Sequence, residues 1–299
     1  MMNPKHIPKI FLLFLIVLVA CTPTVPVVTL DTQKNVQNDL TDQPESINFP
    51  VIKPALSRES VSITVMAAAS LTESFTELGQ AFETQYPWVK LSFNFAGSQT
   101  LADQLTHGAP ADVFASANMK YMTAMIDAGI INSEDSRIFA GNRLVVIYPV
   151  DNPANLNDLV DLARPGVKII LADESVPVGT YSINFLDKAS MAEGFGISFK
   201  DNVLRNVVSY ENNVKSVLAK VALNEADAGI VYFSDISVDA GRKVGTIDIP
   251  NDFNTIATYP IAPVAASKNL ETANLFINFV LSAQGQKILE GFNFVTPTQ

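Results

Sequence analysis

Cysteine occurs once in the 299 residues, at Cys21, and histidine occurs only twice, at His6 and His107. A single thiol excludes an intrachain disulfide, and two histidines with one cysteine cannot complete a tetrahedral zinc site of those ligands. Glycine patterns that cradle phosphate, of the Walker or dinucleotide type, are missing, as is the Gly-x-Ser-x-Gly elbow of serine hydrolases. His107, in Leu105-Thr106-His107-Gly108, reads as a helix end, where a cationic side chain complements the dipole, rather than as a general base. No residue is therefore assigned a catalytic role, and the chain is not expected to be an enzyme. Positive charge is also scarce: 20 Lys and Arg face 30 Asp and Glu, a net charge of −10. That balance disfavours nucleic acid and anionic lipid headgroups as partners.

Hydrophobic residues nevertheless make up 48% and charged residues 17%, a composition that folds into a compact core. The longest apolar run, Ile10 to Ala20 behind Lys5 and Lys9, is too short to span a bilayer and reads as an export signal over residues 1–20. It ends in Leu18-Val19-Ala20-Cys21, which resembles the processing box of bacterial lipoproteins and makes Cys21 the expected site of lipid attachment. Residues 21–60, rich in Thr, Pro, Asn, Gln and Asp without periodicity, read as a flexible tether to a membrane. Without Lys5 and Lys9, 18 basic residues face 30 acidic ones, so the processed chain carries −12.

From Val61 onward, short β-branched runs alternate with helical periods, the signature of an α/β fold with mainly parallel sheets. Strands are expected at Val61–Ala67, Val89–Phe95, Asp112–Ala115, Leu144–Tyr148, Val167–Ala172, Gly229–Tyr232 and Ile256–Ala265. Leu71, Phe75, Leu78 and Phe82 form the core stripe of one helix, and Val214, Val217, Leu218, Val221 and Ala222 that of another.

An exported α/β chain without catalytic groups suggests a receptor for a small solute, and three turns suggest which kind. These are Ala67-Ala68-Ala69-Ser70-Leu71-Thr72-Glu73, Phe95-Ala96-Gly97-Ser98-Gln99-Thr100-Leu101 and Glu211-Asn212-Asn213-Val214-Lys215. Each puts small or amide-bearing residues where the free N–H groups of a first helical turn point outward, an arrangement suited to an anion. Ser70 and Glu73 also fit a capping box; a capping hydroxyl uses only its lone pairs, so its proton stays available for a ligand. Ser98 reads equally as a cap or a turn residue beside Gly97.

Taken together, ITVMAAASLTESF, FNFAGSQTLADQL, GAPADVFASANMKYM, GNRLVVIYP, DESVPVGTYSINFL and AGIVYFSD, in that order and spacing, resemble the periplasmic molybdate-binding proteins of bacterial ABC importers, of the type II solute-binding family. The resemblance runs from about Val61 to Val295. It implies a two-lobed, periplasmic-binding-protein-like fold with a tetrahedral oxyanion held between the lobes by uncharged donors. It assigns lobe 1 to residues 61–142 plus 260–299 and lobe 2 to 143–259, with crossings near Gly141-Asn142-Arg143 and Thr258-Tyr259-Pro260.

By the same resemblance the ligand-binding residues are Ser70, Ser98, Val178, Val214 and Tyr232. Val178 and Val214 would act through backbone N–H groups, Ser70 through its hydroxyl and its backbone N–H, Ser98 as the second serine and Tyr232 through its hydroxyl. Without it, Val178 reads as an ordinary turn residue, Val214 as a core-facing helix residue and Tyr232 as a core tyrosine at a strand end. No cofactor is implied; the ligand is molybdate or tungstate, with molybdenum bound only as its oxyanion and no direct cation site. The implied partners are an ABC permease and its ATPase, with the membrane reached through the lipid anchor and the receptor itself a monomer. The implied location is extracytoplasmic. Alternatives are a receptor for sulfate, phosphate or another oxyanion, and a lipid-anchored hydrolase using Ser70 or Ser98.

Overall fold

The computed structural model describes residues 59–236 and 243–296. The expected export signal, Cys21 and all but the last two residues of the expected tether lie outside the described residues. Ten strands follow in chain order: β1 (Val61–Ala68), β2 (Val89–Ala96), β3 (Val113–Ala115), β4 (Arg137–Asn142), β5 (Leu144–Pro149), β6 (Ile169–Ala172), β7 (Val207–Glu211), β8 (Ala228–Tyr232), β9 (Val244–Asp248) and β10 (Ala257–Pro263). Eight helices accompany them: α1 (Thr72–Gln85), α2 (Ser98–Thr106), α3 (Met119–Asp127), α4 (Pro177–Ser190), α5 (Phe199–Arg205), α6 (Val214–Ala222), α7 (Leu270–Leu281) and α8 (Ala283–Gly291).

The strands form two five-stranded sheets, ordered β2-β1-β3-β10-β4 and β7-β6-β8-β5-β9. Each is mainly parallel with one antiparallel strand, β10 in the first and β5 in the second. Helices flank both, giving the two-lobed α/β architecture of type II binding proteins. The chain passes from the first sheet to the second between Asn142 and Leu144, and returns between Asp248 and Ala257.

The predicted stripes form the cores. Phe75, Leu78 and Phe82 on α1 are fully buried, with Phe75 5.6 Å from Phe139 and Phe82 5.3 Å from Phe276 between ring centroids. Val217 and Val221 on α6 are equally buried. Three strands, β4, β7 and β9, have no counterpart in the expected set, and all three are sheet edges. An edge strand has a neighbour on one side only, so its sequence need not be a continuous apolar run. β7 and β9 alternate between exposed and partly buried positions, which gives a weak signal over five residues.

The junction between the sheets is held by side-chain amides. Buried Asn254 accepts from the Leu144 N–H at 3.0 Å and donates to the carbonyls of Leu144 at 2.9 Å and Ile249 at 3.2 Å. It thereby satisfies both backbone groups at the first residue of β5. Asn254→Ala would strand them in a dry site, at a cost of about 2–3 kcal/mol. Chemical denaturation should show a lower midpoint with an unchanged slope; an unchanged midpoint would remove Asn254 from this role.

Candidate functional site

In both sheets the helices that follow the parallel strands start near the carboxyl ends of those strands, the usual side for ligands in open α/β sheets. A small cavity lies there, lined by Ala69, Ser70 and Ser98 from the first sheet's turns and by Val178, Val214 and Tyr232 from the second's. The structure thus brings all five sequence-predicted ligand residues to one place. All are buried, Ser98, Val178 and Tyr232 to within 1% of full burial. A larger groove of about 600 Å³ lies elsewhere, beside Pro110 and Lys268. Its polar groups Asp112, Ser267 and Asn269 are already bonded to one another.

The donors at the small cavity come from helix starts. Ser98 is the first residue of α2, Val214 the first of α6, and Val178 follows Pro177 at the start of α4. N–H groups in a first turn have no intrahelical acceptor. α1, α2 and α4 begin without a side-chain cap, and Asn213 caps α6 only through the N–H of Ser216 at 3.0 Å. Gly97 lets this packing happen, because a Cβ there would stand 2.5 Å from the carbonyl oxygen of Asn212 in the other lobe.

The three hydroxyls differ in their partners. Ser98 Oγ accepts from the Ala117 N–H at 3.0 Å, which leaves its proton free. Ser70 Oγ lies 2.9 Å from the Tyr259 hydroxyl. The expected capping box does not form: Ser70 sits in a short 3-10 turn, Ala69–Leu71, and α1 has no side-chain cap. Glu73, the other half of the box, turns instead to Lys215. The Tyr232 hydroxyl is buried without a hydrogen-bond partner, and desolvation holds its phenol well above the ordinary range. An unpartnered buried hydroxyl at a cavity wall is the feature that most directly calls for a ligand.

Residues 63–295 match the model of the bacterial extracellular solute-binding proteins. The chain belongs to that family. Among its relatives is the molybdate-binding protein ModA of Mycobacterium tuberculosis, 36% identical over 251 residues that cover 84% of this chain and 91% of the relative. A substrate binding domain of an ABC transporter from Clostridium difficile is 32% identical with a TM-score of 0.60, over 80% of this chain and all of that one. The periplasmic molybdate-binding protein of Azotobacter vinelandii, at 18% identity and a TM-score of 0.69 over 79% of this chain and all of that one, shares the fold.

In this solute-binding protein two further residues, absent from the sequence-predicted set, stand beside the cavity. Lys215, next to Val214, reaches across to Glu73 at 2.7 Å and to Asp235 at 2.9 Å. Burial disfavours its ammonium, but the two carboxylates outweigh that and raise its pKa. Asp235 is fully buried, and desolvation raises its carboxyl against the opposing pull of Lys215. Gln99 Nε2 donates to the Asn212 carbonyl at 2.7 Å, and the Tyr121 hydroxyl donates to the Ser175 carbonyl, so three straps cross the cleft around the cavity. Local sequence could not reveal the Lys215 cluster, because Glu73 lies 142 residues away.

Removing Lys215 leaves Asp235 as an unpaired buried charge, so Lys215→Met should cost about 3 kcal/mol near neutral pH. Glu73 is 40% exposed, and Glu73→Gln should cost less than about 1 kcal/mol. The Lys215→Met deficit should shrink as pH falls through the raised range of the Asp235 carboxyl and it takes up a proton. Equal costs in the two variants, measured by denaturation across pH, would contradict this account.

Proposed function

We propose that this protein binds molybdate, and tungstate of nearly the same size, outside the cytoplasm and delivers it to an ABC permease driven by its ATPase. The single observation that carries this reading is the buried, unpartnered Tyr232 hydroxyl, set in a small cavity among uncharged donors at helix starts. Ser70, Ser98 and Tyr232 donate through hydroxyls, and Ser70, Val178 and Val214 through backbone N–H groups. The name borne by the Mycobacterium tuberculosis relative supports this choice of anion. The protein acts as a monomeric carrier rather than an enzyme, and lipid on Cys21 retains it at the membrane.

Neutral donors suit a dianion inside an acidic protein. The binding energy comes from local hydrogen bonds and helix dipoles, which net charge at a distance does little to oppose across solvent. Each bond to a charged oxygen contributes about 1.5–3 kcal/mol. Sulfate has the same shape and charge with shorter bonds, so in a rigid cavity it leaves some donors unpaired. Selectivity therefore follows from size.

Calorimetric titration with molybdate, tungstate, sulfate and phosphate should show tight one-to-one binding of the first two alone. Ser70→Ala should weaken molybdate binding by roughly ten- to 150-fold. Tight binding of sulfate or phosphate would move the assignment to that anion, and silence with all four would end the oxyanion reading.

The pH response is also fixed by the donors. Burial raises the Tyr232 and Tyr259 phenols above their ordinary value near 10. They stay protonated below that value and lose their protons only as pH rises through the higher folded-state pKa. Molybdate affinity should accordingly stay flat between about pH 7 and 9; a steep fall in that window would point to an ionising group in the site.

A further inference from the structure

Behind Ser70 stands a chain of buried polar groups that the ligand would not touch. Tyr259 on β10 and Asn142 at the end of β4 are fully buried, and Ser234, just after β8, is 4% exposed. Asn142 Oδ1 accepts from the Arg143 N–H at 3.0 Å, which identifies the other end of the amide as Nδ2. That nitrogen donates to Ser234 Oγ at 2.7 Å and to the Tyr259 hydroxyl at 3.3 Å. The Tyr259 hydroxyl in turn lies 2.9 Å from Ser70 Oγ, 189 residues away in sequence.

The direction of the last bond matters. If Ser70 donated to Tyr259, it would turn a lone pair toward the cavity and repel an oxyanion. If Tyr259 donates to Ser70, the serine proton is left for the ligand. The second arrangement is favoured because a phenol is a stronger hydrogen-bond donor than an aliphatic alcohol; the bond that Tyr259 accepts from Asn142 at 3.3 Å fills one of its two lone pairs. We propose that Tyr259 is a positioning residue that holds Ser70 as a donor toward the bound anion, and that Asn142 and Ser234 tie this orientation to the junction between the lobes. Bonds running one way along such a chain polarise one another and strengthen the terminal donor.

The placement gives the relay a second consequence. Asn142 ends β4, the last strand before the first crossing, and Tyr259 lies two residues into β10, the first strand after the second; in their ladder Asn142 pairs with Ala257 and Tyr259 with Ala140. Ser234 follows Tyr232, which pairs with Leu144 at the start of β5. The orientation of Ser70 is thus linked to both crossings, so the donor is set when the lobes are packed around the cavity.

This proposal rests on the oxyanion reading, and a double-mutant cycle separates the two. Wild type, Tyr259→Phe, Ser70→Ala and the double variant are titrated with molybdate, and the thermal midpoint of each is measured without ligand. Tyr259→Phe removes one oxygen and keeps the ring packed against Phe139 and Phe294. It should weaken binding about tenfold, yet have no further effect once Ser70 is alanine. Ser234→Ala removes the other acceptor of the Asn142 amide and so loosens the group that donates to Tyr259; it should weaken binding less than Tyr259→Phe, and again only when Ser70 is present, and it carries the cycle if Tyr259→Phe does not fold. Equal losses in both Ser70 backgrounds, or unchanged affinity in Tyr259→Phe, would overturn the positioning role while leaving molybdate binding intact. Failure of the wild type to bind any of the four anions would overturn the oxyanion reading and this proposal with it.

Discussion

A buried N–H group without an acceptor is costly, and this fold gathers the starts of several helices around one small cavity where such groups collect. The turn before α1 and the starts of α2, α4 and α6 all reach it, three of the helices without side-chain caps. The unpartnered Tyr232 hydroxyl adds to the same deficit. A buried cavity lined by N–H groups of first helical turns and by hydroxyls favours an anion over a neutral occupant. Much else in the structure, from the absent caps to the close approach at Gly97, follows from keeping those donors free and converging.

Charge is managed around the cavity rather than in it. Lys215, next to Val214 at the cavity, is already engaged with Glu73 and Asp235. An arrangement of this kind keeps a strong, unscreened positive charge from attracting any anion indiscriminately and leaves discrimination to hydrogen-bond geometry. The same lysine links α6 to α1 across the cleft, so the ion cluster contributes to lobe contact as well as to local neutrality. Its worth depends on burial: the side exposed at Glu73 is screened by water, and the side at Asp235 is not.

The junction between the lobes and the cavity are neighbours in space because of strand order. β10 enters the first sheet antiparallel between β3 and β4, and β5 enters the second antiparallel between β8 and β9. These two strands carry the chain between lobes, and their ends lie beside Ser70 and Tyr232. Any movement of one lobe against the other is therefore felt at the hydroxyls that line the cavity. The residues at the junction between the sheets and those that line the cavity are in direct contact.

The alternation of β-branched runs with helical stripes was enough to place seven strands and the α1 and α6 cores, because interior strands carry continuous apolar runs and the edge strand β2 still alternates Val89, Leu91, Phe93 and Phe95 with polar residues. The edge strands β4, β7 and β9 escaped it, since a strand with one neighbour need not be apolar throughout. Around the cavity, the turns at Ser70, Ser98 and Val214 were visible as small or polar residues at strand-to-helix junctions, whereas Val178 and Tyr232 stood out only through resemblance to relatives. By itself the sequence determined the α/β class, the scarcity of catalytic groups and the segments able to begin helices, because these depend on composition and local periodicity. Only the tertiary structure decided that Ser70 would bond to Tyr259 instead of capping α1, that Glu73 would leave its own helix for Lys215, and that five residues spread over 163 positions would line one cavity. Those outcomes depend on which strands pair and where the chain crosses between sheets, and long-range pairing leaves no mark on the residues nearby in sequence.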